Sequence, residues 1–258
     1  MICQYRLTLS LPHEQPVPSY WAYRLYAWLL TQITAEQAEH FHQQEGHPIV
    51  GYVSQNCWTV TLFGEDAIAL FEGILERTTQ IHLHRDQLTV TERQSRRISD
   101  ARIFLKQGRE MHDRKAEIRF LSPAAFKQAG RYTIFPQEEL LVQSLLMRWN
   151  EWCLDYPLLD KDMVAELKQG IHIVDYSLRT GRFRLKNATI PCFYGKIILE
   201  SRLPVVLQEL WNALLCFAPY SGIGIKTTLG MGGVDVVFLD KPARRQDQSE
   251  HTEPDSRC

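Results

Sequence analysis

Three stretches of this chain carry side chains that could act on a phosphorylated ligand. In residues 221–234, SGIGIKTTLGMGGV, the glycines Gly222, Gly224, Gly230, Gly232 and Gly233 surround Lys226, Thr227 and Thr228. Glycine lacks a Cβ and reaches positive φ, so its N–H can approach an anion closely, and one cation with two hydroxyls is the side-chain complement of a phosphate-binding loop. A tight turn entering a final strand has the same glycine spacing. Nucleotide motifs do not fit: the glycine a dinucleotide fingerprint needs is replaced by Thr227, the order is helix then strand, and no P-loop run occurs. The second stretch is basic. Between Arg179 and Lys196 lie Arg179, Arg182, Arg184, Lys186 and Lys196 without one acid, and Arg182, Arg184 and Lys186 alternate with Phe183 and Leu185. A strand would place these three cations on one face, a track that matches the phosphates of a nucleic acid strand or is simply a solvated hairpin face. The third stretch, EHFHQQEGHP, supplies His40, His42 and His47. Imidazole gives and takes protons near neutral pH, which cleavage beside a ribose phosphate requires. Surface histidines and a weak HxH metal pair fit the same residues.

The elements that must hold these groups follow a repeated order. Residues 2–11 alternate as a strand, 18–32 have helical apolar spacing, 57–63 read as a strand, 65–77 as a helix and 81–91 as further strand, with His82 and His84 inside it. Arg102, Lys106, Arg109, Arg114 and Lys115 then cluster around Gly108. A second set follows: strand 116–121, helix 136–153, strands near 171–186 and 193–201, helix 204–218, the glycine loop and strand 234–239. The expectation is an α+β protein of two tandem ferredoxin-like (RRM-like) domains, residues 1–115 and 116–240, with a disordered polar tail at 241–258. Trp58, Phe193 and Tyr194 could stack on bases or fill the core.

Composition narrows the classes. The 258 residues are 45% hydrophobic and 23% charged with a net charge of −1, values of an ordinary globular chain. This charge argues against a protein that coats nucleic acid indiscriminately, so any RNA or DNA site must be a local patch. No apolar run approaches the ~20 residues of a membrane span, and the alternating N-terminus differs from a signal peptide, so a cytoplasmic protein without membrane contact is expected. Cys3, Cys57, Cys153, Cys192, Cys216 and Cys258 are scattered and form no CxxC pair, which suits reduced thiols better than zinc or disulfides.

With the glycine loop, the segment EIRFLSPAAFKQAG from Glu117 (F-x-S-P-x-x-F), the strand IPCFYGKI from Ile190 and EHFHQQEGHP, the chain resembles the CRISPR repeat-processing endoribonucleases of the RAMP superfamily. The resemblance spans most of the chain except the tail. It implies metal-independent cleavage of precursor CRISPR RNA within repeats, without a cofactor, by 2′-OH attack that leaves 2′,3′-cyclic phosphate and 5′-OH ends. The family's active histidine follows an apolar residue after the first helix, which points to Phe41-His42, with His47 and then His40 as fallbacks. Tyr26 stands loosely in the family's tyrosine position, and no lysine precedes Lys106, so charge stabilisation would fall to an arginine or to the loop with Lys226. RNA contacts are expected from Arg179, Arg182, Arg184, Lys186 and Lys196 and from Gly222, Gly224, Lys226, Thr227, Thr228, Gly230 and Gly232. The implied partners are CRISPR repeat RNA, effector-complex proteins and a second copy of the chain. A non-catalytic RNA-binding subunit of such a complex, built on the same fold, is the alternative function.

Overall fold

A computed structural model describes residues 1–12, 15–43, 46, 48–185 and 188–239, leaving aside the side chains of His40, His42 and Gln43. His47, Lys186 and the tail lie outside the described residues.

The first half runs β1 (Ile2–Ser10), α1 (Ala22–Leu30), α2 (Ala35–Gln43), β2 (Ile49–Ser54), β3 (Cys57–Phe63), α3 (Gly64–Arg77), β4 (Gln80–Leu83) and β5 (Asp86–Ile98). Its strands form an antiparallel sheet in the order β2-β3-β1-β5-β4. After α4 (Arg102–Glu110), the second half runs β6 (Lys115–Ala124), β7 (Phe126–Gln128), β8 (Arg131–Thr133), α5 (Glu138–Trp152), α6 (Lys161–Gly170), β9 (Ile171–Leu185), β10 (Ala188–Ser201), α7 (Val205–Ser221) and β11 (Val234–Phe238). Its main sheet has the order β11-β6-β10-β9, with β7 and β8 forming a separate hairpin. Numbered within each half, the sheets share one strand order, the ferredoxin-like one, with β4 added at the edge of the first.

The periodicities explain the elements. In β1, Cys3, Tyr5, Leu7 and Leu9 are buried on one face, and α1 meets that side with Ala22, Leu25 and Leu29 at helical spacing. In the second half, Ile118, Phe120, Ile197 and Leu199 lie against α5 and α7 through Leu145, Trp149, Leu214 and Phe217. This core does not stop at the second sheet. It takes in Val50, Phe63, Ile98 and Phe104, and the Phe63 ring stacks on Trp152 at 5.2 Å and meets Phe217 edge-on at 6.2 Å.

Several elements depart from the sequence expectations. Strand β2 is buried on both faces and carries Gly51, so it shows no alternation to detect. The stretch 81–91 is two strands, because His84 takes φ 59° and turns the chain between β4 and β5. Residues 39–43, the start of the histidine stretch, close a helix, α2, and α6 is another helix that periodicity missed, although its Asp160 N-cap accepts from Met163 N at 2.8 Å. The basic cluster around Gly108 is largely α4, which buries Phe104 and Gly108 and turns Arg102, Lys106 and Arg109 outward. A Cβ on Gly108 would overlap the backbone of Glu209 and Ala213 in α7. Gly108→Ala should therefore force the two helices apart and lower stability by about 1–3 kcal/mol in denaturant titration, despite alanine's better helix propensity.

Candidate active site

A cleft of about 750 Å³ opens where the halves meet. The first half contributes Tyr26 of α1, Phe41 of α2, and Gly46, Pro48 and Ile49 leading into β2. The facing wall is Ser144, Met147, Arg148 and Glu151 of α5, Lys127 of β7, and Gly224, Ile225, Lys226 and Thr228 of the glycine loop.

The loop is held by the F-x-S-P-x-x-F segment. Gly233 N donates to Ser122 Oγ at 2.9 Å, Gly232 N to the Pro123 carbonyl at 2.7 Å, and Ile225 N to the Ala125 carbonyl at 3.0 Å. Gly222 N closes α7 on the Ala218 carbonyl at 2.9 Å, and Gly224 N donates to Ser144 Oγ at 2.8 Å. The expected reason for the glycines is thus corrected at Gly222, Gly224 and Gly232, along with Gly233: their N–H groups bind the protein itself. What these glycines permit is close approach. A Cβ on Gly230, at φ 111°, would lie 2.6 Å from the Cβ of Ala22 in α1, so only glycine lets the loop touch the first half here.

Beside these committed N–H groups, the loop presents side chains to the cleft. Lys226 is exposed and sits at φ 57°, an uncommon left-handed conformation for lysine, fixed by its carbonyl accepting from Leu229 N at 2.9 Å and Met231 N at 3.2 Å. Thr227 is buried, and its Oγ1 accepts from Arg148 Nη2 at 2.6 Å. Arg148 also binds the Glu151 carboxylate at 2.9 Å. Burial pushes the Tyr26 hydroxyl pKa up, so this phenol is a proton-bearing hydrogen-bond donor at neutral pH rather than a base.

The end of β9 alternates as its sequence suggests. Arg182 and Arg184 are exposed, and Phe183 between them is buried against Met231 of the loop. Arg179 lies over the Tyr194 ring at 5.4 Å. Lys196 stands apart. It pairs with Ser177, seven residues along β10 from Thr189, the partner of Arg184, which is about 24 Å at strand rise. Its ammonium is 2.6 Å from Glu117. Hydrogen bonds from Lys196 and Arg119 hold the Glu117 carboxyl below its ordinary pKa. Trp58 and Phe193 are core residues. His42 belongs to the last turn of α2, directly after the cleft residue Phe41. Arg148 and Glu151 escaped the sequence reading, although a charged pair three residues apart in the mostly apolar LLMRWNEW was a signal.

A family model described as CRISPR-associated endoribonuclease Cas6 matches residues 118–234, from β6 through the hairpin and loop to the start of β11. A CRISPR-associated endoribonuclease Cas6 of Streptococcus thermophilus is 28% identical over 218 residues, covering 83% of this chain and 90% of the relative. One from Mycobacterium tuberculosis is 27% identical over 250 residues, 90% and 77% of the two chains. Among solved structures, a Cas6 product complex superposes with a TM-score of 0.73 at 21% identity over 92% of this chain and 100% of the other. The chain is similar to the CRISPR-associated endoribonucleases Cas6. Thermus thermophilus Cas6 superposes with a TM-score of 0.69 at 23% identity over 92% and 98% of the chains, so the tandem ferredoxin-like fold is shared with Cas6 structures. The span matched by the Cas6 model contains the loop and the segment that clasps it, whereas Tyr26 and the histidine stretch precede it.

The backbone at Lys226 makes its own prediction. Lys226→Asn should keep the melting temperature, because asparagine tolerates the left-handed region, whereas Lys226→Ile should cost about 1–3 kcal/mol. Equal melting temperatures for the two variants would contradict this loop geometry.

Proposed function

We propose that this protein is a metal-independent endoribonuclease that cleaves precursor CRISPR RNA within its repeats. The 2′-oxygen attacks the adjacent phosphorus, the 5′-oxygen leaves, and the products carry 2′,3′-cyclic phosphate and 5′-OH ends. The observation that carries this reading is the cleft, which sets the α2 turn containing His42 and the Tyr26 phenol opposite the glycine loop. A solved structure described as a Cas6 product complex, and relatives described as CRISPR-associated endoribonucleases, support the endoribonuclease part of this reading.

Each group has a role its chemistry allows. His42 moves the proton of the 2′-OH or of the departing 5′-oxygen, with His47 and then His40 in reserve. Tyr26 donates a hydrogen bond to the reacting phosphate, and the exposed cation Lys226 offsets charge that develops on its oxygens. Arg179, Arg182, Arg184 and Lys186 of the hairpin, with the loop, bind the RNA backbone and set its register. Lys196 joins them through the half of its side chain that solvent reaches. Residues 1–115 would thus form the proton-transfer domain and 116–240 the RNA-holding domain. The reading places the protein in the cytoplasm with CRISPR repeat RNA as substrate, and effector-complex proteins and a second copy of itself as partners.

Cleavage should proceed in EDTA, and a repeat RNA carrying a 2′-deoxy nucleotide before the scissile phosphate should stay intact. His42→Ala should slow single-turnover cleavage about 10²–10⁴-fold while RNA affinity is retained. Cutting of the deoxy substrate would exclude 2′-OH attack, and tight repeat binding by wild-type protein that never cuts would make it a non-catalytic RNA-binding subunit.

A further inference from the structure

We infer that Arg148 and Thr228 form an anion subsite in the wall of the cleft, built to receive one RNA phosphate. The inference deepens the proposed function, because that phosphate is the one placed opposite the histidine-bearing turn.

Two independent observations meet at this point. The first is a buried hydroxyl with nothing to bind. Thr228 is 8% exposed and lines the cleft, and its Oγ1 has no hydrogen-bond partner among the described residues. An orphaned hydroxyl in a protein interior is unfavourable and calls for a partner that arrives from outside. The second is a guanidinium in the same wall. The Arg148 side chain is only 13% exposed, yet it reaches the cleft from the helix opposite the first half. Its bonds to Thr227 Oγ1 and Glu151 fix its plane against the loop and use two of the five N–H donors a guanidinium has. The donors that remain are those of a group that recognises phosphate oxygens through paired N–H bonds.

The neighbouring groups suit an anion of this size. Thr227, which anchors Arg148, and Thr228 are consecutive, and Arg148 and Thr228 line the same cleft. Lys226 precedes them with its side chain exposed. Glu151 is the opposing charge: its carboxylate lies against Gly46, where a Cβ would come within 2.6 Å of Oε1. It therefore sits on the side of Arg148 toward the first half, while Thr227 holds the loop side. The N–H groups of Gly222, Gly224, Gly232 and Gly233 are committed inward, and Arg148 and Thr228, together with Lys226, are the side chains of this wall that can meet the phosphate.

The decisive experiment measures binding, so that it can be read whether or not RNA is cut. Fully 2′-deoxy-protected repeat oligomers, each with a single uncharged methylphosphonate at a different position, are titrated against wild type, Arg148→Ala, Arg148→Lys and Thr228→Val. Wild type should lose at least tenfold in affinity when one particular phosphate is neutralised. Arg148→Ala should bind the all-phosphate oligomer at least tenfold more weakly and be indifferent to that one substitution while still sensing the others. Arg148→Lys should recover part of the affinity and of the sensitivity. Thr228→Val removes the orphan hydroxyl without changing shape, so its melting temperature should hold or rise while its affinity for the all-phosphate oligomer falls several-fold. If Arg148→Ala weakens binding equally for every oligomer, or keeps the wild-type sensitivity, the residue is a structural tether and the subsite does not exist. If the coupling is found but wild-type protein cuts no ribose substrate, the subsite stands and the endoribonuclease assignment falls.

Discussion

The close approach of the glycine loop to three neighbours is the constraint on which the rest of this structure depends. At Gly230 the loop meets Ala22 of α1, at Gly233 a Cβ would run into the Tyr52 ring of β2, and Met231 between them packs on Phe183 of the hairpin. First half, second half and hairpin thus converge on a few residues of backbone. Side chains at those glycines would have to displace Ala22 and Tyr52, both of which belong to the first half. The orientation of the two sheets, and with it the width of the cleft, follows from that contact.

The same packing decides which groups remain for chemistry. Hydrogen bonds to Ser122, Pro123, Ala125 and Ser144 turn the loop's backbone into scaffold, and the F-x-S-P-x-x-F segment provides three of those four anchors. The side chains this scaffold presents to the cleft are then the natural groups for a phosphate site. Burying a guanidinium is costly unless it is paired and hydrogen-bonded, and Arg148 is both, through Glu151 and Thr227. The two motifs that stood apart in the sequence are therefore one object in the fold.

The fold was legible wherever one face of an element is wet. β1, α1, α3, α5 and the basic end of β9 alternate or repeat at their proper periods because one side meets the core and the other meets water. β2 was not legible, being a short run buried on both faces and interrupted by Gly51, whereas β3, as fully buried, shows itself by its run of β-branched and aromatic residues; α6 was not legible because it contributes a single fully buried residue, Leu167. The site was legible in its loop and in Tyr26, both of which line the cleft. Arg148 and Glu151 were not, because their importance comes from the residue they meet in space: Thr227 lies 79 residues from Arg148 along the chain. The glycines illustrate a subtler limit. Their spacing marks a loop that tolerates close approach, and the sequence does not say whether the neighbour is an anion or a methyl group of the same protein.

The central claim, that RNA is held in the cleft between the two halves, is tested most directly by amide hydrogen exchange with and without repeat RNA. Bound RNA should slow exchange together at the end of α2, in the last two turns of α5, in residues 223–230 and in the hairpin 179–185. Protection confined to the second half, with α1 and α2 unchanged, would contradict a site shared between the halves.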